Sequence, residues 1–298
     1  MKAPHGDKLK ALFKNPKLPK SDRDKKDLVL FNYEQWKTSL KDTKLSGDDY
    51  LKSLVTSTNI YKNFIDLNFI FNSENDFLYR QKGQLKLDNT ILEECLPYLV
   101  DERLTPGPLE NENLFVGDES CYAGLYFGPW LENGKNKYLL KTKNQDFSVG
   151  KKLNITIDDG ILIQKFEMNI AYFVAELKTN LDKTMFQEAN ATANELKTNV
   201  INSKYFLICE WLDMSIIDSS TSNIDSVIVL RKAKRLNSNI RQKFSNREGR
   251  RSGFLEYKNH IESNPLCEDM FRYLVENINK AIPVRTIDMP KEDFKGYF

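Results

Sequence analysis

Glu176 and Lys178 stand two residues apart at the end of the apolar run Tyr172-Phe173-Val174-Ala175-Glu176-Leu177-Lys178. Side chains alternate between faces along a strand, so the acid and the base emerge on one side and Leu177 on the other. A carboxylate placed there can hold a hard divalent cation, and the neighbouring ammonium can orient a water or stabilise a developing negative charge. The spacing alone has no weight, since Glu195-Leu196-Lys197, Glu256-Tyr257-Lys258, Asp24-Lys25-Lys26, Asp42-Thr43-Lys44 and Asp293-Phe294-Lys295 share it. None of those follows an apolar, strand-like run, so context selects Glu176. The plainer reading of the same two residues is a solvated ion pair at a strand end.

A cation site needs a second carboxylate. Asp146 opens Asp146-Phe147-Ser148-Val149, an acid at the start of an alternating strand, thirty residues before Glu176. Asp159 is seventeen residues before it, within Asp158-Asp159-Gly160, which a tight turn explains without chemistry. Glu167 is expected in the loop that feeds the Glu176 strand. Glu93 and Glu94 are candidates for an extra acid supplied from a helix. Lys183 and Gln187, four apart on the helix expected after the motif, could face a phosphate or simply form a polar face. His5 and His260 are isolated, and no histidine-based site is expected.

The elements that must position these residues fall into two groups. Residues 1–24 are polar, basic and proline-containing, and are expected to be a flexible basic arm. Residues 25–104 read as a helical N-terminal region, with Leu28, Phe31, Trp36 and Leu40, then Tyr50, Leu54, Ile60, Phe64, Leu67 and Phe71, at helical spacing. Thr105-Pro106-Gly107-Pro108 and Glu110-Asn111-Glu112-Asn113 read as a linker. Residues 114–298 form the second group, with strands at Tyr122–Gly128, Lys137–Lys141 and Asp146–Ile157. The Asp-Asp-Gly turn signals a hairpin leading into Ile161–Ile163. The Ile170–Lys178 strand follows, then a helix over Asp182–Lys197 with Met185, Ala189, Ala193 and Leu196 on its inner stripe. Tyr205-Phe206-Leu207-Ile208-Cys209 reads as a strand covered on both faces and Ser226–Leu230 as another, with helix over 253–282 broken at Pro265.

At 298 residues, with 18 Phe, 13 Tyr and 29% charged residues, the chain can bury a substantial core, and no apolar run approaches the length that crosses a bilayer. The lysines near the N-terminus precede no apolar stretch, so no secretory signal is expected and the cytoplasm is the expected location. Cys95, Cys121, Cys209 and Cys267 lack paired spacing, which argues against a zinc ribbon or a disulfide framework. The formal net charge of +2 hides a basic segment, 231–251, in which Arg231, Lys232, Lys234, Arg235, Arg241, Lys243, Arg247, Arg250 and Arg251 face one acid, Glu248. Nothing inside that segment neutralises it, so these residues are expected to bind a polyanion such as nucleic acid, DNA included.

A meander, a strand bearing Glu-x-Lys, a helix and a further buried strand resemble the core of the nuclease superfamily defined by an Asp, a variable gap and Asp/Glu-x-Lys. The block Glu176-Leu177-Lys178-Thr179-Asn180-Leu181-Asp182-Lys183-Thr184-Met185-Phe186-Gln187-Glu188-Ala189 narrows this, and looks like the BbvCI-like two-subunit type II restriction endonuclease family, which acts on sites of the CCTNAGC kind. Gln145-Asp146-Phe147-Ser148-Val149-Gly150-Lys151-Lys152 and Phe77-Leu78-Tyr79-Arg80-Gln81-Lys82-Gly83 are also similar to the family. The resemblance favours Asp146 over Asp159, although Gln145 stands where the superfamily often has proline. It implies an α/β (α+β) fold: a restriction-endonuclease-like core with a mixed central sheet flanked by helices, and a mainly helical N-terminal region. It further implies a catalytic set of Asp146, Glu176, Lys178 and Gln187, with Mg2+ held by Asp146, Glu176 and the Leu177 backbone carbonyl. Double-stranded DNA is the implied substrate, with Lys183 among its contacts, and a related second subunit the implied partner in a heterodimer; no membrane partner is implied. The rival readings are a repair or junction-resolving nuclease and a non-catalytic DNA-binding subunit.

Overall fold

Helices cover both faces of a five-stranded sheet in the computed structural model of the chain, which describes residues 2–41, 44–104, 114–132, 135–215 and 219–282. The N-terminal half holds α1 (Pro4–Lys14), α2 (Lys20–Arg23), α3 (Lys26–Leu40) and α4 (Gly47–Asn63), which widens into a π-helical segment, Phe64–Phe71. Next come α5 (Phe77–Leu85) and α6 (Asn89–Cys95). Five strands follow: β1 (Leu114–Gly117), β2 (Ser120–Glu132), β3 (Lys135–Asn144), β4 (Phe147–Asp158) and β5 (Ile163–Leu181). The chain continues through α7 (Lys183–Asn199), β6 (Lys204–Leu212) and β7 (Ser226–Lys234) to α8 (Ser238–Lys243), α9 (Arg247–Ser252), α10 (Phe254–Glu262) and α11 (Glu268–Ala281). The expected linker at 105–113 lies outside the described residues.

The sheet runs β1-β4-β5-β6-β7, antiparallel from β1 to β5 and parallel from β5 to β7, while β2 and β3 form a separate hairpin. This is the mixed central sheet expected. Parallel neighbours cannot be joined by a tight turn, and α7 supplies the crossover from β5 to β6. Its start is fixed by Asp182, whose side chain accepts from the Met185 N–H as an N-cap. On one sheet face Phe147, Phe173, Ala175, Leu177, Phe206 and Ile208 pack against the N-terminal helices and α11. On the other, Val174, Tyr205, Leu207 and Cys209 meet Phe186, Ala189, Ala193 and Leu196 of α7. No helix among the described residues is long and apolar enough to cross a membrane.

One irregularity sets the phase of the β4–β5 hairpin. Val149 pairs with Phe173 but Gly150 pairs with Ala171, so Tyr172 is passed over in a bulge. A side chain at position 150 would meet the Ile170 carbonyl oxygen at 2.0 Å, which only glycine avoids. Glu167, expected in a loop, instead lies within β5 opposite Asn154, because the strand extends well beyond its apolar stretch.

The N-terminal residues are not the flexible arm expected. α1 buries Leu9 and Leu12, and Leu18 is buried after it. The Glu94 carboxylate accepts from the backbone N–H groups of His5 and Gly6 and from the Tyr33 hydroxyl, and pairs with Lys37 at 2.7 Å. His5 is itself buried between Thr90 and Tyr61, and burial above all lowers its pKa to about 3. The lysines of this segment point outward and mask an amphipathic helix in the sequence. Leu9→Ala is therefore expected to cost about 2–5 kcal/mol, read as a lower midpoint in thermal unfolding; a loose arm would leave the midpoint unmoved.

Candidate active site

The β4–β5 register, continued one residue past Phe147↔Ala175, sets Asp146 opposite Glu176. Side chains directly opposite on antiparallel strands have Cβ atoms about 4.5–5.5 Å apart, so the two carboxylates are neighbours. Asp146 is pinned in place: its Oδ2 accepts from the Leu177 backbone N–H at 2.9 Å. Burial raises the pKa of its carboxyl, the Leu177 bond opposes the rise, and the Glu176 charge adds to it. Asp159, the alternative acid, sits at the far end of the hairpin, where its carboxylate accepts from the Ile161 and Leu162 N–H groups and the Tyr138 hydroxyl. That turn is about 40 Å of strand from Asp146, at the usual rise per residue.

Both oxygens of Glu176 are engaged. Oε1 pairs with Lys178 Nζ at 2.7 Å, and Oε2 accepts from the buried Tyr205 hydroxyl. Burial works against the Lys178 charge, but its bond to Glu176 and the charges of Glu176 and Asp146 outweigh it. The amine therefore titrates above the ordinary lysine range and is an ammonium at neutral pH. α6 brings in Glu93, held by Asn89 Nδ2 at 2.9 Å; burial and then the Asp146 charge push its pKa up to about 7. Glu94, the other candidate acid, faces away into the N-terminal core.

Asp146, Glu176 and Lys178 line a cleft of about 610 Å³, bordered by Arg235 of the basic segment and by four basic residues that sequence reasoning did not single out as contacts: Arg80, Lys82, Lys86 and Lys143. Lys86 follows α5 in the left-handed backbone region (φ 52°), a conformation retained by a non-glycine residue only where its surroundings hold it. The sequence signal was the Phe77–Gly83 block, whose isolated charges do not form a run.

Other expected site residues fall elsewhere. Gln187 and Lys183 are exposed on α7 and do not line the cleft, where Met185 and Thr192 do. The cleft side of the helix is set by its buried stripe, and Gln187 lies off it. Arg231 is buried, bonded to Glu210 at 3.1 Å and to the Asn264 carbonyl at 2.8 Å. Arg250 is also buried, paired with Asp76 at 3.0 Å and donating to the carbonyls of Phe71, Ser73 and Asn75. These two are structural, which corrects the expectation that they bind DNA. Arg235 and Arg241 share Asp213, Arg247 pairs with Glu74, and Lys232 with Asp269. The acids missing from the segment thus come from distant parts of the chain. Lys234, Lys243 and Arg251 are exposed.

The donor set is one of hard oxygens. No group of three or more acidic, histidine or cysteine side chains that could hold a metal ion occurs among the described residues, and the acids placed to share one are the pair Asp146 and Glu176. In a strand the N–H and C=O of one residue face the same neighbour, and the Leu177 N–H is directed at Asp146. Its carbonyl therefore faces the carboxylate side as well. Two carboxylates and a carbonyl, with room for waters in the cleft, fit Mg2+ and lack the nitrogen or sulfur that softer metals prefer.

A model of the Bpu10I restriction endonuclease family matches residues 84–298. No curated protein sequence matches the chain. Among solved structures, one described as the native BbvCI A2B2 tetramer has a similar fold, with a TM-score of 0.58 and 18% sequence identity, over 93% of this chain and 95% of that one.

Proposed function

Because the chain belongs to the Bpu10I restriction endonuclease family, we propose that it is one subunit of a heterodimeric type II enzyme that uses Mg2+ to hydrolyse one strand of an asymmetric duplex site. The family makes it a site-specific nuclease acting on DNA. The observation that carries the finer reading is the pairing of Asp146 with Glu176 across β4 and β5, beside the Lys178 ammonium and inside a basic cleft.

A phosphodiester is anionic and repels nucleophiles, and attack adds charge to its non-bridging oxygens. Asp146, Glu176 and the Leu177 carbonyl would hold Mg2+, which when bound neutralises the phosphate and lowers the pKa of a water. Lys178 donates toward the attacking water or the phosphoryl oxygen and stabilises the charge that develops there. Lys82 and Lys86 bind flanking phosphates, with Arg80, Lys143 and Arg235 around them; Lys234, Lys243 and Arg251 extend this positive surface. Arg, Asn and Gln side chains in the major groove would read the bases. An asymmetric target cannot be read by a two-fold homodimer, so a related second subunit fits it, in keeping with the A2B2 assembly named for BbvCI. The enzyme acts in the cytoplasm, on DNA that enters it.

The test is plasmid cleavage with Mg2+ by this chain alone, with its related second subunit, and with that subunit's site disabled. The third mixture should nick one strand at a fixed position; intact plasmid there would assign this chain a binding role only. Binding should also weaken steeply with salt. Replacing both Lys82 and Lys86 by Gln is expected to flatten the slope of log affinity against log salt by about 2, one for each phosphate left without its lysine. An unchanged slope would remove these lysines from the interface.

A further inference from the structure

The buried phenol behind Glu176 is unexplained by packing alone. Tyr205, the second residue of β6, is fully buried at the head of the continuous apolar run Tyr205–Cys209, where phenylalanine would fill the same space. Its hydroxyl instead donates to Glu176 Oε2, leaving Oε1 for Lys178 at 2.7 Å.

We infer that Tyr205 is a positioning residue for the cation site: it anchors Oε2 of Glu176 from the buried side, keeping Oε1 turned toward Asp146 whether or not Lys178 holds it. Without that anchor the carboxylate can follow Lys178, whose flexible ammonium is its sole remaining partner of the two. Groups that orient a metal ligand from behind are ordinarily worth about 10–100-fold in metal affinity. This inference rests on the proposed role of Glu176, and its test separates the two.

Mn2+, which also takes oxygen donors, is titrated into the full chain and the free ion followed by electron paramagnetic resonance. Tyr205→Phe should raise the dissociation constant about 10-fold while the metal-free unfolding midpoint stays within a few degrees, and raising Mg2+ should restore strand cleavage. Glu176→Ala is the control and should abolish binding at this site. If Glu176→Ala abolishes binding and Tyr205→Phe leaves it unchanged, the anchoring role is wrong and the cation site stands. If Glu176→Ala binds Mn2+ as the parent does, the site itself is wrong. Should Tyr205→Phe not fold, Tyr205→Met takes its place, with weakened binding expected at the same midpoint; unchanged binding would overturn the inference.

Discussion

Substituting Glu176 or Lys178 with Ala should reduce strand cleavage by at least about 10³-fold while leaving DNA binding in the absence of metal near the parental level. Single groups that stabilise a charged transition state in an enclosed site are worth about 10²–10³ in rate, and a metal ligand also removes the chemistry that depends on the ion. Asp146→Ala should behave likewise, since its carboxylate has no substitute on β4. Lys178→Arg is expected to remain strongly impaired, because a planar guanidinium cannot reproduce a compact ammonium bonded to Glu176 at 2.7 Å. Nicking assays paired with gel-shift measurements separate chemistry from binding. Cleavage by Glu176→Ala within ten-fold of the parent would place the reaction elsewhere in the molecule.

A loss of stability, rather than of DNA binding, is expected when the charge is removed from Glu210. Glu210 is buried between Lys62 Nζ at 2.8 Å and Arg231 Nε at 3.1 Å. Lys62 also donates to the Asp88 carbonyl at 2.7 Å, at the residue that caps α6. Glu210→Gln leaves two buried cations side by side without their countercharge, a change that costs about 3–5 kcal/mol. For a chain of this size the unfolding midpoint should fall on the order of 10 °C. Replacing Lys62, Glu210 and Arg231 together by apolar residues of similar volume should cost much less, because the desolvation of all three charges is then relieved. A Glu210→Gln midpoint within about 2 °C of the parent would mean that the cluster is hydrated and loosely held, contrary to its burial.

Much of the core could be read from local pattern. The Asp-Asp-Gly hairpin, the strand ending in Glu-x-Lys, the α7 stripe and the doubly covered β6 each announce themselves within a few residues, and those elements bring Asp146, Glu176 and Lys178 together. What local pattern hid depends on partners far along the chain. Arg250 meets Asp76 across 174 residues, and Arg231 meets Glu210 on a neighbouring strand, so a basic run looked free when much of it was already neutralised. α1 was hidden because its lysines outnumber the few leucines that anchor it. Tyr205 was hidden because an apolar run conceals one hydroxyl. Arg80, Lys82 and Lys86 were hidden because a wall of a cleft is assembled by tertiary packing and needs no dense cluster in sequence.

Tyr172, passed over opposite the step from Val149 to Gly150, resets the inside–outside alternation of the hairpin. Beyond it, toward the Asp158–Gly160 tip, paired residue numbers sum to 321, whereas on the Asp146–Glu176 side they sum to 322. The outer arm and the acids are thus kept in separate phase, with a position that tolerates no side chain as the boundary. Lengthening or shortening the arm in matched pairs would change what its tip reaches without rotating Asp146 away from Glu176, so reach and chemistry can vary independently along one continuous ribbon.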